Sequence, residues 1–240
     1  MKEIHLFYAP NIADDGALPA EESAHAVRVL RMQEGDDLLA TDGRGTMYAC
    51  RLTLASQKKC LVSIDSATPT PLPWKGNIHI AVAPTKNMDR MEWFAEKATE
   101  IGCNRFSFLL CKNSERKVIK TERIEKIVVA ATKQSHKAYV PQIDELQSFK
   151  EFVKQPFEGN KFICHCLVEP HTLPALHDMV QADADTLVLI GPEGDFSREE
   201  VDAALAAGFQ SVHLGMSRLR TETAALAAVH IMNLRKQKTD

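Results

Sequence analysis

The sequence predicts an α/β protein with two domains, and three observations carry that prediction. From about residue 74 onward, short apolar runs suited to buried parallel strands alternate with helical segments, the order of a parallel sheet covered by helices. Before that point apolar residues recur at every second position, the period of half-buried strands. Between the two regions lies Thr68-Pro69-Thr70-Pro71-Leu72-Pro73, whose prolines at alternate positions favour an extended, semi-rigid connection. Residues 1–70 are therefore assigned to a small β-rich domain and residues 74–240 to an α/β domain.

In the N-terminal region a single helix is expected over 21–30, followed by a strand over 38–41. Asp42-Gly43-Arg44-Gly45 is a strong hairpin signal. Tyr48, Cys50, Leu52 and Leu54 then define one buried face, and Cys60, Val62 and Ile64 repeat the period. Beyond the prolines the first strand covers 78–83. Asn87 can cap a helix whose Met88, Met91, Phe94, Ala95, Ala98 and Ile101 form one apolar stripe ended by Gly102. Strands over 106–111, 161–168, 187–190 and 211–214 and a helix over 122–138 complete the pattern. Ser197 with Glu200 starts another helix, and an Ala-rich helix opens at Thr221.

Composition is ordinary for a globular chain of 240 residues, with a formal net charge of −3. Met1-Lys2-Glu3-Ile4-His5 lacks the basic-then-apolar pattern of a signal peptide, and no apolar run approaches the ~20 residues of a membrane helix. A cytoplasmic protein with reduced thiols, no membrane partner and no metal is expected. Cys164-His165-Cys166 has the wrong spacing for zinc and no second ligand pair, so it reads as strand residues. Charge is unevenly placed. Residues 112–137 carry eight Lys and Arg against three acids, whereas 178–202 carry one Arg against eight acids. A basic face on a mildly acidic protein suits a polyanion touching one side, although such runs are also ordinary solvated helix faces.

Two stretches carry the chemistry. Gly191-Pro192-Glu193-Gly194 follows the strand at 187–190 and precedes a helix, the place where an open α/β sheet holds its ligand. Leu219-Arg220-Thr221-Glu222-Thr223-Ala224-Ala225-Leu226 follows the next strand through Gly215 and opens the final helix. Together they resemble the two cofactor loops of the RsmE-type ribosomal RNA uridine N3-methyltransferases, in the SPOUT class of knotted methyltransferases. His25, Val29, Leu30 and Arg31 before an Asp-Gly hairpin resemble that family's N-terminal PUA-like β-barrel. Lys86, Arg90, Lys97, Glu100 and Gly102, then Ser114-Glu115-Arg116 and Gln134-Ser135, match further family stretches. Asp195 departs from the pattern, standing where the family usually has a second glycine.

The resemblance implies a C-terminal SPOUT domain with a trefoil knot, a PUA-like β-barrel before it, and methyl transfer from S-adenosyl-L-methionine to N3 of one uridine in 16S, small-subunit ribosomal RNA. Leu189, Gly191, Glu193, Gly194, Leu214, Gly215 and Leu219 are the expected cofactor residues. Arg220 is expected to stabilise charge on the uracil. Glu222 is expected to accept the proton or to orient Arg220, or else only to suit, as a carboxylate, the start of the final helix. Arg28, Arg31, Lys86, Arg90, Arg116, Lys120 and Arg123 are the expected RNA contacts. A homodimer is expected, with Ala224, Ala225, Ala227 and Ala228 permitting close packing of the last helix. Two rivals stay open: a SPOUT ribose 2′-O-methyltransferase, and an RNA-binding assembly factor that has lost catalysis. Arg220-Thr221-Glu222-Thr223 stands where the ribose enzymes usually carry Ser-Leu-Asn.

Overall fold

The computed structural model describes residues 4–238, so Met1, Lys2 and Glu3, on which the signal-peptide expectation partly rests, lie outside the described residues. The chain divides into two compact units. The first comprises Met1–Leu72 together with Val129–Val140, the second Pro73–Val128 together with Pro141–Asp240.

The first unit contains β1 (Leu6–Tyr8), α1 (Ile12–Asp15), β2 (Ala17–Leu18), α2 (Ala20–Ala24), β3 (Asp37–Thr41), β4 (Thr46–Leu54) and β5 (Cys60–Pro69). Its five-stranded sheet runs β1-β3-β4-β5-β2, with only the β1–β3 pair parallel. Asp42 shapes the β3–β4 hairpin: its Oδ1 accepts the Arg44 and Thr46 amides at 2.7 and 3.2 Å. Tyr48, Cys50, Leu52, Cys60 and Val62 are buried as their alternation requires. Leu54 and Ile64 are exposed instead. A bulge between Leu52 and Leu54 breaks the alternation, and β5 leaves the core beyond Val62. The helix expected over 21–30 is composite. After α2 the chain makes a π-helical turn, His25–Val29, in which the Leu30 amide reaches the His25 carbonyl at 3.1 Å. Arg31, at φ 54°, then ends it.

Residues 129–140 complete this unit. The Ala138 carbonyl accepts both the Thr41 hydroxyl (2.9 Å) and the Gly45 amide (3.0 Å), and the Val140 amide donates to Gly43 O at 2.9 Å. Lys133 pairs with the buried Glu22 at 2.6 Å. Gly45, at φ 111°, lies so close to the Tyr139 ring that no side chain fits.

The second unit contains β6 (Ile78–Val82), α3 (Met88–Ile101), β7 (Arg105–Leu110), β8 (Gln142–Ser148), α5 (Phe149–Phe152), β9 (Asn160–Cys164), α6 (Leu176–Met179), β10 (Thr186–Ile190), α7 (Arg198–Ala206), β11 (Gln210–Val212) and α8 (Thr221–Lys236). Helix α4 (Thr121–Gln134) begins in this unit and ends in the first. All six strands are parallel, in the order β11-β9-β10-β6-β7-β8. Every position of β6 and β10 is buried, as a central parallel strand covered on both faces demands. Asn87 caps α3 by accepting the Asp89 amide at 3.0 Å, and Met91, Phe94, Ala95 and Ala98 form its buried stripe.

Several expected elements end early. The helix expected over 122–138 stops at Gln134, and His136 turns the chain with φ 52°. The strands expected over 161–168 and 211–214 stop at Cys164 and Val212, so the residues beyond are free to form loops. In α8, Ala225, Ala228, Val229 and Met232 are buried within the unit itself. Lys236 closes that helix, fully buried, with its ammonium donating to the Ala184 and Gln181 carbonyls. Among the described residues no helix is long and apolar enough to cross a membrane.

Candidate active site

The loops after β9, β10 and β11 leave the sheet at neighbouring C-terminal strand ends and enclose a cleft of about 760 Å³. Gly191, Glu193, Gly194, Leu214, Gly215, Leu219, Arg220 and Glu222 line it together with Arg90. Leu189 does not; it lies fully buried in the core of β10. The Gly191–Gly194 turn is closed by the Asp195 amide donating to Pro192 O at 2.9 Å. Gly215 has φ 120°, and a Cβ built there would meet nothing within 4 Å, so the backbone presents a bare face.

Side chains from several loops fix this turn. Asn113 donates its amide to the carbonyls of Gly194 and Asp195, both at 3.1 Å. The Lys86 amide donates to Glu193 Oε1 at 2.8 Å. Asp195 occupies the left-handed region at φ 61°, which costs an Asp less than most residues. It also does what a glycine could not. Oδ1 accepts the Phe196 amide and Oδ2 the Cys166 amide, each at 2.7 Å, joining the β10 loop to the β9 loop. Ser197 and Glu200 form a reciprocal capping box, so the first turn of α7 already has its partners.

Arg220 is exposed at the N-cap of α8, with no side-chain bond closing that helix end. Glu222, in the first turn, is only 6% exposed. Its Oε1 lies 3.7 Å from Arg90 Nε and its Oε2 has no hydrogen-bond partner. A buried carboxylate so poorly satisfied costs stability, a trait Glu222 shares with Glu22 and Glu92.

The expected RNA contacts have unlike settings. Arg28 and Arg31 are exposed in the first unit, Arg28 donating to Gln57 at 2.7 Å. In the second unit Lys86 and Lys120 are exposed, with Lys86 Nζ 3.1 Å from Glu115. Arg123 pairs with Glu92 at 2.9 Å. Arg116 turns inward: its guanidinium donates to the carbonyls of Thr85 (3.0 Å) and Lys86, holding the turn whose amide meets Glu193. That structural use of Arg116, and of Asn113 beside it, had no signal in a segment that reads simply as basic. Cys164 is half-buried and Cys166 exposed on the cleft wall. Burial and the Asp195 carboxylate both push the Cys166 thiol up, away from the reactive thiolate. Among the described residues no cluster of metal-ligating side chains occurs.

A second polar cluster spans β6, β7 and β8. His79 Nε2 lies 2.8 Å from Ser107 Oγ, Ser107 donates to Asp144, and Arg105 grips Asp144 through Nε (2.7 Å) and Nη2 (3.0 Å). Phe152 and Phe157 cover the imidazole. Burial, helped by the Arg105 cation and opposed by Asp144, lowers the His79 pKa to about 4. Burial alone would raise Asp144, but the bonds from Arg105 and Ser107 outweigh it and hold the carboxyl low.

Comparison with known proteins gives the same picture from another side. Residues 72–233 match the model of an RNA methyltransferase domain, and residues 18–65 that of an RNA methyltransferase PUA domain. The chain is 30% identical over 230 residues to the ribosomal RNA small subunit methyltransferase E of Bacillus subtilis, covering 89% of this chain and 87% of that one. A structure described as a "probable rRNA-methyltransferase from Porphyromonas gingivalis" superposes with a TM-score of 0.91 at 42% identity, covering 97% of this chain and 98% of that one. The ribosomal RNA small subunit methyltransferase E of Neisseria gonorrhoeae, solved with S-adenosyl methionine bound, gives 0.84 at 26% identity over the same shares.

Proposed function

Because the chain belongs to the ribosomal RNA small subunit methyltransferase E family, we propose that it transfers a methyl group from S-adenosylmethionine to N3 of one uridine in small-subunit ribosomal RNA. The observation that carries this reading is the cleft itself, where the Gly191–Gly194 turn, the bare Gly215 backbone and Arg220 with Glu222 face one space. The cofactor fits the residues present. A Cβ at Gly215 would occupy the open face, and a volume of about 760 Å³ is suited to a nucleoside with an amino-acid tail.

Gly191, Glu193, Gly194, Leu214, Gly215 and Leu219 would hold the cofactor, which supplies an electrophilic methyl on a sulfonium. Leu189 would act from behind by packing β10. Uracil N3 is a poor nucleophile while it carries its proton. Glu222 would accept that proton as the N3–CH₃ bond forms and the S–CH₃ bond breaks. Arg220 would offer its donors to the charge developing on the flanking carbonyl oxygens. Arg28, Arg31, Lys86, Arg90, Lys120 and Arg123 would meet the RNA, Arg116 contributing through its grip on Lys86.

The smaller features follow. Residues 1–70, completed by 129–140, would form the RNA-binding barrel, and the remainder of 74–240 the methyltransferase domain. The methyltransferase domain would carry the trefoil knot of its class. A homodimer through α8 would use the face of that helix that carries the exposed Leu234. The site of action would be the cytoplasm. The test is mass mapping of modified uridines in small-subunit RNA from cells with and without this protein, followed by methyl transfer with purified components. Loss of one N3-methyluridine, restored by the protein, is expected; an unchanged map refutes the reading.

A further inference from the structure

Two histidines stand among the loops of the cleft, His165 just after β9 and His213 just after β11, and both line it. Each is half-buried and uses its ring in the same way. The Gly215 amide donates to His213 Nδ1 at 3.0 Å, and the Leu167 amide to His165 Nδ1 at 3.3 Å. In both, a side-chain acceptor takes the backbone N–H two residues on, as Asp and Asn do in tight turns. That role fixes the tautomer, because a neutral ring with Nδ1 bare carries its proton on Nε2. His165 Nε2 accordingly donates to Ser211 Oγ at 2.8 Å, tying the β9 loop to β11.

Gly215 needs such a hold. Its φ of 120° suits glycine alone, and nothing lies within 4 Å of where a Cβ would stand, so no packing steers that face of the peptide. Met216, Ser217 and Arg218 beyond it are exposed. The base of the turn, by contrast, is firm. The His213 amide donates to Pro174 O, and its carbonyl accepts the Leu176 amide, each at 3.0 Å. The ring thus carries rigidity from the strand end to the loop tip. It can do so only while neutral, since a proton on Nδ1 sets donor against donor and frees the amide. The elements around the two rings bring Asp195 and Glu169, which attract that proton, and Arg198 and Arg218, which repel it, while His177 and Asp178 on α6 pair with each other at 3.0 Å. At His165 burial, helped by Arg198 and opposed by Asp195, favours the neutral ring.

We propose that His213 is a positioning residue of this cleft, its bare Nδ1 holding the Gly215 backbone in the form that receives the methyl donor, and that acid loosens the donor by protonating that nitrogen. The inference rests on the proposed function for the identity of the ligand. Two readouts test it: S-adenosylmethionine titrated calorimetrically into the intact protein from pH 7 to 5, and the Gly215 amide resonance of the protein without cofactor over the same range. His213→Asn keeps an acceptor for the amide and cannot titrate, whereas His213→Phe keeps a ring and loses the acceptor. At pH 7 His213→Phe should bind the cofactor roughly three- to tenfold more weakly, the worth of one hydrogen bond, and His213→Asn about as well as the wild type. Between pH 7 and 5 wild-type affinity should fall by on the order of tenfold and that of His213→Asn much less. The Gly215 amide should move with the same proton in the wild type and stay still in His213→Asn.

Unaltered affinity in His213→Phe at pH 7, or a His213→Asn profile parallel to that of the wild type, overturns the inference. So does a wild-type Gly215 amide that ignores pH over this range. Where His213→Phe fails to fold, the His213→Asn profile decides. Should the amide follow the proton as described while S-adenosylmethionine binds at no pH, the proposed function fails and the hold of His213 on the loop stands.

Discussion

Replacing His79 with glutamine should remove a large part of this protein's sensitivity to acid. In the folded chain the imidazole is buried beside Arg105, and its pKa falls from 6.5 to about 4. The unfolded chain therefore binds a proton in that interval which the folded chain refuses, and stability falls as pH falls through it. Above pH 6.5 the group is neutral in both states and contributes no slope. At about 1.4 kcal/mol per pH unit, the interval from 6.5 to about 4 is worth roughly 3 kcal/mol. Asp144 acts in a different window. Its lowered pKa stabilises the fold above the ordinary carboxylate value and is lost only at still lower pH. His165 is also lowered, chiefly by burial, so some slope should survive in the variant. Glutamine keeps a polar atom for Ser107 and cannot titrate. Urea unfolding from pH 7.5 to 4.5 is the assay: wild-type stability should fall steeply below pH 6.5 and His79→Gln stability much less. Parallel profiles would refute the account of a buried neutral imidazole.

Three further outcomes are expected. Arg220→Lys keeps charge but loses the planar fork, so single-turnover methyl transfer should drop by about 10²–10³ with both ligands still bound, and alkaline pH should recover some of the loss; recovery at saturating ligand alone would make Arg220 a binding residue. Lys120→Glu should reduce the salt dependence of RNA binding by about one ion without touching cofactor affinity, whereas Arg116→Gln should weaken cofactor binding by freeing Thr85 and Lys86; calorimetry showing intact cofactor affinity in Arg116→Gln would sink the second claim. Asp195→Asn can accept only one of the two amides now bound, so cofactor affinity should weaken by about tenfold, and Asp195→Gly should not restore it despite relieving the backbone; equal affinity in all three would leave the carboxylate without a role.

What could be read from the sequence, and what could not, follows from the range of the interactions. β6, β10 and α3 were legible because burial on defined faces forces an apolar period, and Asn87 and Ser197 are local caps. Strand β8 leaves no such trace: it lies at a sheet edge, none of its residues is buried, and Gln142-Ile143-Asp144-Glu145 has no period to detect. The π-turn at His25–Val29 depends on one extra residue between donor and acceptor, which composition does not record. At the site, the glycine turn and Arg220 stood out as local motifs. The inward use of Arg116 and the bond from Cys166 to Asp195 join segments remote in sequence, and only the folded chain shows them.

The incorporation of Val129–Val140 into the first unit gives this protein an order of assembly. Domains generally fold as units while the chain is being synthesised, N-terminal ones first. Here the N-terminal unit cannot finish when Leu72 emerges, because the Ala138 carbonyl that receives Thr41 and Gly45, and the Lys133 that neutralises Glu22, do not yet exist. Until Val140 is made, the nascent sheet holds an unpaired Glu22 carboxylate and a hairpin turn whose Thr41, Gly43 and Gly45 lack their partners, an incomplete state exposed to aggregation. A genetic cut in the proline-rich segment would make that waiting state permanent. The smaller unit could be moved to another protein only with its distant strip of chain, so the two units are inherited together rather than exchanged as beads on a string.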